Sequence, residues 1–162
     1  MIIHYMQDRD RALPLSPIPR KNWEIDAYPV NEIAEYVQDV SQGDIDVLVE
    51  EYYNKYDMIL DGRDPEEFKE HVAVQAGIEI GFERFLEEKK YQAIVTHFGD
   101  LGSLEQLPGL AIQRLMEKGY GFGGEGDWKT AAMGIEAVYI DGDTTIRNLQ
   151  NELRWNSMYF SK

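Results

Sequence analysis

Apolar positions along this chain recur with two different periods, and the alternation between them predicts strands separated by helices. "WEIDAY", residues 23–28, alternates apolar and polar side chains as a half-buried strand does, and Pro29 ends it. In "VNEIAEYVQDV", 30–40, Val30, Ile33, Ala34 and Val37 fall on one helical face. A second helix over about 44–56 takes Ser41 as its N-cap and turns Ile45, Leu48, Val49 and Tyr52 inward.

The run 64–90, "DPEEFKEHVAVQAGIEIGFERFLEEKK", predicts one long helix. Asp64 caps it and Pro65 takes the first helical position, where a missing N–H costs nothing. Glu66 and Glu67 sit at the positive end of the helix dipole, Lys89 and Lys90 at the negative end. Gly77 and Gly81 each cost ~1 kcal/mol against Ala inside a helix, which predicts close backbone packing there.

"YQAIVTHF", 91–98, is a short apolar run that predicts a strand buried on both faces, near the centre of a sheet. A loop follows, then a helix "LAIQRLMEK" that Gly119 ends. The glycine-rich stretch "GYGFGGEG" reads as a bare loop, with Asp127 capping a short helix from about Trp128. "EAVYIDGD", 136–143, reads as a further strand and turn of the same sheet, and "TTIRNLQNEL" as a last amphipathic helix. The predicted fold class is therefore α/β, an open, mostly parallel sheet flanked by helices. Three parts follow along the chain: a proline-containing arm over 1–22, irregular or extended; an α/β domain over 23–133; and a βα extension over 134–162 packed on the same domain.

Composition narrows the function classes. The 162 residues, 43% hydrophobic and 12% aromatic, suffice for one core. Sixteen basic residues against thirty acidic ones give a net charge of −14, the wrong sign for nucleic acid or an anionic membrane surface. The chain has no cysteine, which removes disulfides and thiolate chemistry. No apolar run approaches the ~20 residues of a membrane span. The first residues break into charges and prolines too early for a signal peptide, so the cytoplasm is the expected location.

"GYGFGG" satisfies G-x-G-x-x-G at Gly119, Gly121 and Gly124. A dinucleotide fingerprint needs a strand leading in, whereas here a helix does, and Gly119 is accounted for as its C-terminal cap. Lys129-Thr130 lacks the preceding glycine of a phosphate loop. Two readings stand for Glu125, between Gly124 and Gly126: a solvated loop acid, or a carboxylate held beside free N–H groups where a cation or polar substrate can approach the backbone. His97, at a strand end, reads as a ligand or as an ordinary hydrogen-bonded histidine. His71, four residues after Glu67, reads as an exposed helical pair. His4 lies in the arm.

"EQLPGLAIQRLMEKGYGFGGEGDWKTAAM", 105–133, resembles the L-arabinose isomerase family, and "WEIDAYPVNEIAEYV", "EEYYNKYD" and "THFGDLGSLEQLPGLA" continue the likeness upstream, over roughly 23–133. The resemblance implies the central domain of a Mn²⁺-dependent oligomeric enzyme of three α/β domains that interconverts L-arabinose and L-ribulose. It implies that Glu125 is a metal-binding and acid/base glutamate and that Phe98 lines the sugar pocket. An acid commonly follows that aromatic residue in the family, and Gly99 stands there here. The family's second glutamate and two histidines come from sequence beyond the DWKTA helix, where this chain turns into "GIEAVYIDGDTTIRNLQNELRWNSMYFSK", which does not match. Two functions of different class follow. One is a piece of an L-arabinose isomerase, active only with domains supplied by other chains or copies; the other is a non-catalytic sugar-binding or assembly module. A nucleotide-binding protein is a distant third.

Overall fold

The computed structural model describes residues 2–4, 25–97, 99, 101–132 and 134. The expected strand at 136–140, the helix after it, Trp23, Glu24 and most of the arm lie outside the described residues. Two short strands, β1 (Ile2–His4) and β2 (Ala27–Pro29), pair antiparallel. Helices α1 (Val30–Gln38), α2 (Gln42–Lys55) and α3 (Pro65–Lys89) follow. Then come β3 (Ala93–Thr96), α4 (Gly109–Glu117), β4 (Gly121–Gly124) and a helix α5 that opens at residue 128.

Caps set the helix boundaries. The Ser41 hydroxyl accepts the Asp44 N–H, and α2 begins directly after it, two residues ahead of the predicted start. Asp64 accepts the N–H groups of both Glu66 and Glu67, so the start of α3 agrees with its sequence signal. The ends of α3 and α4 share one geometry. Lys90, in the left-handed region at φ 61°, donates to Glu87, and Tyr91 donates back to Leu86. Gly119, at φ 105°, donates to Met116, and Tyr120 donates back to Leu115. Each reversal satisfies the last carbonyls of its helix and turns the chain sharply. The two exits run side by side as β3 and β4, paired parallel from Ala93 opposite Gly121 to Thr96 opposite Gly124.

The strand β4 corrects the expected bare loop. Glycine is disfavoured in strands because it has no side chain to pack, and packing is what reverses the preference here. A Cβ on Gly123 would lie 1.9 Å from the Asp127 carbonyl oxygen, and one on Gly134 would lie 3.4 Å from the Gly121 Cα. Gly123 brings the first turn of α5 directly onto the strand backbone, a contact that a side chain at that position would prevent, while Gly134 packs on Gly121 at ordinary contact distance.

The sheet is covered on both faces. On one, Ile94 and Phe122 pack with Ile33 and Ala34 of α1, Ile78, Phe82 and Phe85 of α3 and Leu115 of α4. On the other, Ala93 and Val95 meet Ala131 and Trp128. All four residues of β3 are buried, as its unbroken apolar run implies. α2 docks on α3 through Val49, Tyr52, Val72 and Ala76, while Ile45 and Leu48 reach that cluster half-buried.

The α2–α3–α4 junction is polar at its centre. Glu79 has no solvent exposure and takes donors from three sides. The Tyr52 hydroxyl donates at 2.5 Å, Arg114 Nε at 2.8 Å, and Lys118 Nζ lies 2.9 Å away. Arg114, itself 5% exposed, also pairs with Glu51 on α2. Burial, then the Glu79 charge, pushes the Tyr52 phenol far above its ordinary range, so it serves as a donor. Nearby, Gln75 of α3 caps α4 from outside. Pro108 offers no side-chain cap, and Gln75 Oε1 accepts from the Leu110 and Ala111 N–H groups while its Nε2 donates to the Leu107 carbonyl.

Two stability predictions follow from these contacts. A Cβ on Gly81 would sit 2.6 Å from the Val37 Cα, against backbone that cannot yield, whereas one on Gly77 would make ordinary contacts with the side chains of Ile45 at 3.5 Å and Val37 at 4.0 Å. Gly81→Ala is expected to destabilise by about 1–3 kcal/mol. Gly77→Ala should instead stabilise by about 0.5–1 kcal/mol, so the two melting temperatures should move in opposite directions. Arg114→Met removes the main partner of a buried carboxylate and should cost about 3–5 kcal/mol in urea unfolding. A loss below about 1 kcal/mol, the worth of an exposed pair, would show that Lys118 alone compensates Glu79.

Candidate functional site at the strand ends

Parallel register decides which side chains meet at the carboxyl edge of β3 and β4. Thr96 pairs with Gly124, so the next residues, His97 and Glu125, emerge side by side. His97 Nε2 lies 3.2 Å from Glu125 Oε2, with 55% and 53% of the two side chains exposed. The other ring nitrogen, Nδ1, accepts the Gly99 N–H at 3.0 Å. His97 is thus hydrogen-bonded through Nδ1 to the Gly99 N–H and stands beside the Glu125 carboxylate.

Glu125 is held by a tight turn. It has φ 53° and Gly126 has φ 83°, while the Asp127 N–H donates to the Gly124 carbonyl at 3.0 Å. Two successive positive φ values closed by that bond are the signature of a type I′ turn. Glycine, Asn and Asp dominate such positions, and a left-handed conformation costs a residue with a Cβ roughly 1–2 kcal/mol. Asp127 then caps α5 as its sequence position predicts. Its Oδ1 accepts the Thr130 N–H and its Oδ2 the Thr130 hydroxyl. The pair was not read from the sequence because it requires β4 to be a strand beside β3.

Phe98 lies outside the described residues, so the expected pocket shared with Glu125 receives no geometry. His71 stands 3.9 Å from Glu67 on an exposed helical face, with Nδ1 against the Gln106 amide, as a surface pair. Among the described residues no group of three or more His, Asp or Glu side chains could hold a metal ion. Within these residues Glu125 and His97 stand together as a pair, short of the three or more ligands that a divalent site takes. Nor is any helix of the described residues long and apolar enough to cross a membrane.

A parallel strand pair flanked by helices, with polar side chains at the carboxyl ends of neighbouring strands, places this chain in the α/β class. The sequence model of the L-arabinose isomerase central domain matches residues 19–141, and the chain belongs to the L-arabinose isomerase family. It is 44% identical over 124 residues to the L-arabinose isomerase of Geobacillus kaustophilus, covering 76% of this chain and 25% of that one. With the enzyme of Serratia proteamaculans it shares 46% identity over 121 residues, 74% of this chain and 24% of the relative. With L-arabinose isomerase 1 of Clostridium acetobutylicum the identity is 47% over 111 residues, 68% and 23%. The chain thus spans about a quarter of the length of the curated relatives it matches.

The Glu125 turn depends on the close contact between β4 and α5. Gly123→Ala would drive a Cβ into the Asp127 carbonyl, separating α5 from β4 and shifting the Glu125 turn. The expected outcome is a loss of about 1–3 kcal/mol in thermal unfolding, with the amide signals of Glu125 and Asp127 displaced. An unchanged melt would mean that α5 does not rest on β4.

Proposed function

We propose that this chain provides the central domain of an L-arabinose isomerase-type site in the cytoplasm, with Glu125 as a ligand of Mn²⁺ and as an acid/base group. The observation that carries this reading is the position of Glu125. It falls in the matched GEGDW segment, at the carboxyl end of a parallel strand, in a turn that presents its side chain at the edge. Phe98 follows His97 at the end of the neighbouring strand and is proposed to line the sugar pocket.

Interconverting an aldose and a ketose moves a proton between neighbouring carbons. That takes an acid/base pair and a divalent cation to stabilise the ene-diolate oxygens. Glu125 supplies one carboxylate of this set, and segments beyond the matched one, or other chains or copies, would supply the remaining groups. Each acid/base group contributes ~10²–10⁴-fold and the metal several kcal/mol more.

The isolated chain is therefore expected to form no L-ribulose from L-arabinose above background and to bind Mn²⁺ weakly. The assay compares ketose formation with Mn²⁺ by the wild-type chain and by Glu125→Gln. Turnover abolished by the substitution would mean the chain completes its own site. Equal background signals together with measurable sugar binding would identify a binding or assembly module instead.

A further inference from the structure

Three polar side chains carry hydrogen-bond direction from the first turn of α4 out to the surface of α3. The Leu110 and Ala111 N–H groups can only donate, so Gln75 Oε1, which faces them, accepts from both. The Gln75 Nε2 is thereby turned to the Leu107 carbonyl at 2.8 Å and to Gln106 Oε1 at 2.9 Å, and it donates to each. With its oxygen so used, Gln106 has Nε2 left, 2.7 Å from His71 Nδ1, and this amide donates to the ring. An imidazole nitrogen that accepts carries no proton, so the neutral His71 ring is protonated on Nε2. Neither amide can turn over without setting donor against donor. The α4 backbone thus fixes the direction of the whole chain.

Protonation reverses what His71 can offer. With a hydrogen on each nitrogen the ring can only donate, and Nδ1–H then meets the amide hydrogens of Gln106. The surrounding charges draw the ring the other way. Glu67, one turn back on α3, has a carboxylate oxygen 3.9 Å from Nε2. Glu70 adjoins His71 on its own helix, and Glu105 adjoins Gln106 on the facing segment. α2 meets this part of α3 through Val49 and Tyr52, whose phenol is bonded to Glu79, and α4 has no acidic residue in its first turn.

We propose that His71 is a proton-operated latch on the segment 105–107. The neutral ring holds Gln106 and, through it, the Gln75 amide that caps α4; the imidazolium releases Gln106 and pairs with Glu67. Histidine suits the task because its charge ordinarily changes between about pH 5 and 8. The latch requires no cation and none of the groups at the strand ends.

The test follows the full chain, ¹⁵N-labelled, from about pH 8 to about pH 5, above the ordinary carboxylate range. Long-range ¹H–¹⁵N spectra at the upper end are expected to show His71 as Nε2–H. On acidification the Gln106 side-chain amide and the Leu107, Leu110 and Ala111 backbone amides should move with the ring at one shared midpoint. Protection of the Leu110 and Ala111 amides, corrected for intrinsic exchange, should fall roughly fivefold, the worth of one neutral hydrogen bond. His71→Gln, whose side-chain oxygen accepts at every pH, should hold the upper pattern throughout, whereas His71→Lys, which can only donate, should show the acid pattern at the upper end. A side chain that merely filled space there would not separate the two substitutions in this way. The ring is exposed, so both variants should keep the wild-type signals at the Ser41 and Asp64 caps. An Nδ1–H tautomer at the upper end, or Leu110 and Ala111 signals that titrate in His71→Gln as they do in the wild type, would overturn the proposal.

Discussion

The Glu79 carboxylate is sealed from solvent, and an ionised carboxylate buried alone costs several kcal/mol. Its donors must therefore converge in fixed directions, from Tyr52 on α2, Arg114 on α4 and Lys118 at the end of α4. Apolar contacts between helices are non-directional and would allow α4 to slide or rotate. Directed bonds do not. Gln75 holds the first turn of α4 and the Glu79 cluster holds its middle and end. With both ends of α4 fixed on α3, the reversal at Gly119 releases the chain at a set point beside Tyr91, and β4 can pair with β3 in one register. The position of Glu125 at the sheet edge thus traces back through β4 and α4 to a buried acid on α3.

Glycine enters this construction where backbones must touch. Gly81 lets α3 lie against the α1 backbone at Val37, Gly102 admits Val30 and Asn31 of α1, and Gly123 admits the first turn of α5. A stretch that mimics a phosphate cradle in its letters is a packing device in space. One long side chain interrupts it, and that residue, Glu125, occupies a left-handed conformation that favours glycine. Strain of this kind persists where the surroundings over-determine it, and here Gly126, the Asp127 cap and His97 all act on the same turn.

The helices were legible in the sequence because each carries a local signal. Ser41, Asp64 with Pro65, Gly119 and Asp127 all act at the ends they predict. The buried polar residues were not legible, since a charged side chain in a helix is ordinarily at the surface. Their spacing did hold the information: Val72, Gln75, Ala76, Glu79, Phe82 and Leu86 form one stripe at helical period, and all are buried. The glycine strand was hidden for a different reason. Its stability comes from a helix packed across it and from β3 beside it, contacts distant in sequence that local propensity does not register. The meeting of His97, at a predicted strand end, with Glu125, in a predicted loop, depends on that strand.

Water still reaches the pair, and this bears on how such an edge can do chemistry. A carboxyl group that trades protons near neutral pH is tuned for it by desolvation and by neighbouring charge. Electrostatic contacts to a cation or a developing oxyanion likewise gain strength only when water is excluded. Glu125 and His97 keep about half of their side-chain surface exposed, so the described residues set the two side chains beside each other without enclosing them. Orientation is what the fold has secured at some cost, through the buried Glu79 cluster and the strained turn. Enclosure, on the proposed reading, is not built from the same residues, because the carboxyl edge stays open for a ligand to arrive. On the proposed reading, surfaces that close over this edge would contribute solvent exclusion as much as additional ligands, and the carboxylate would become an effective acid or base only when covered.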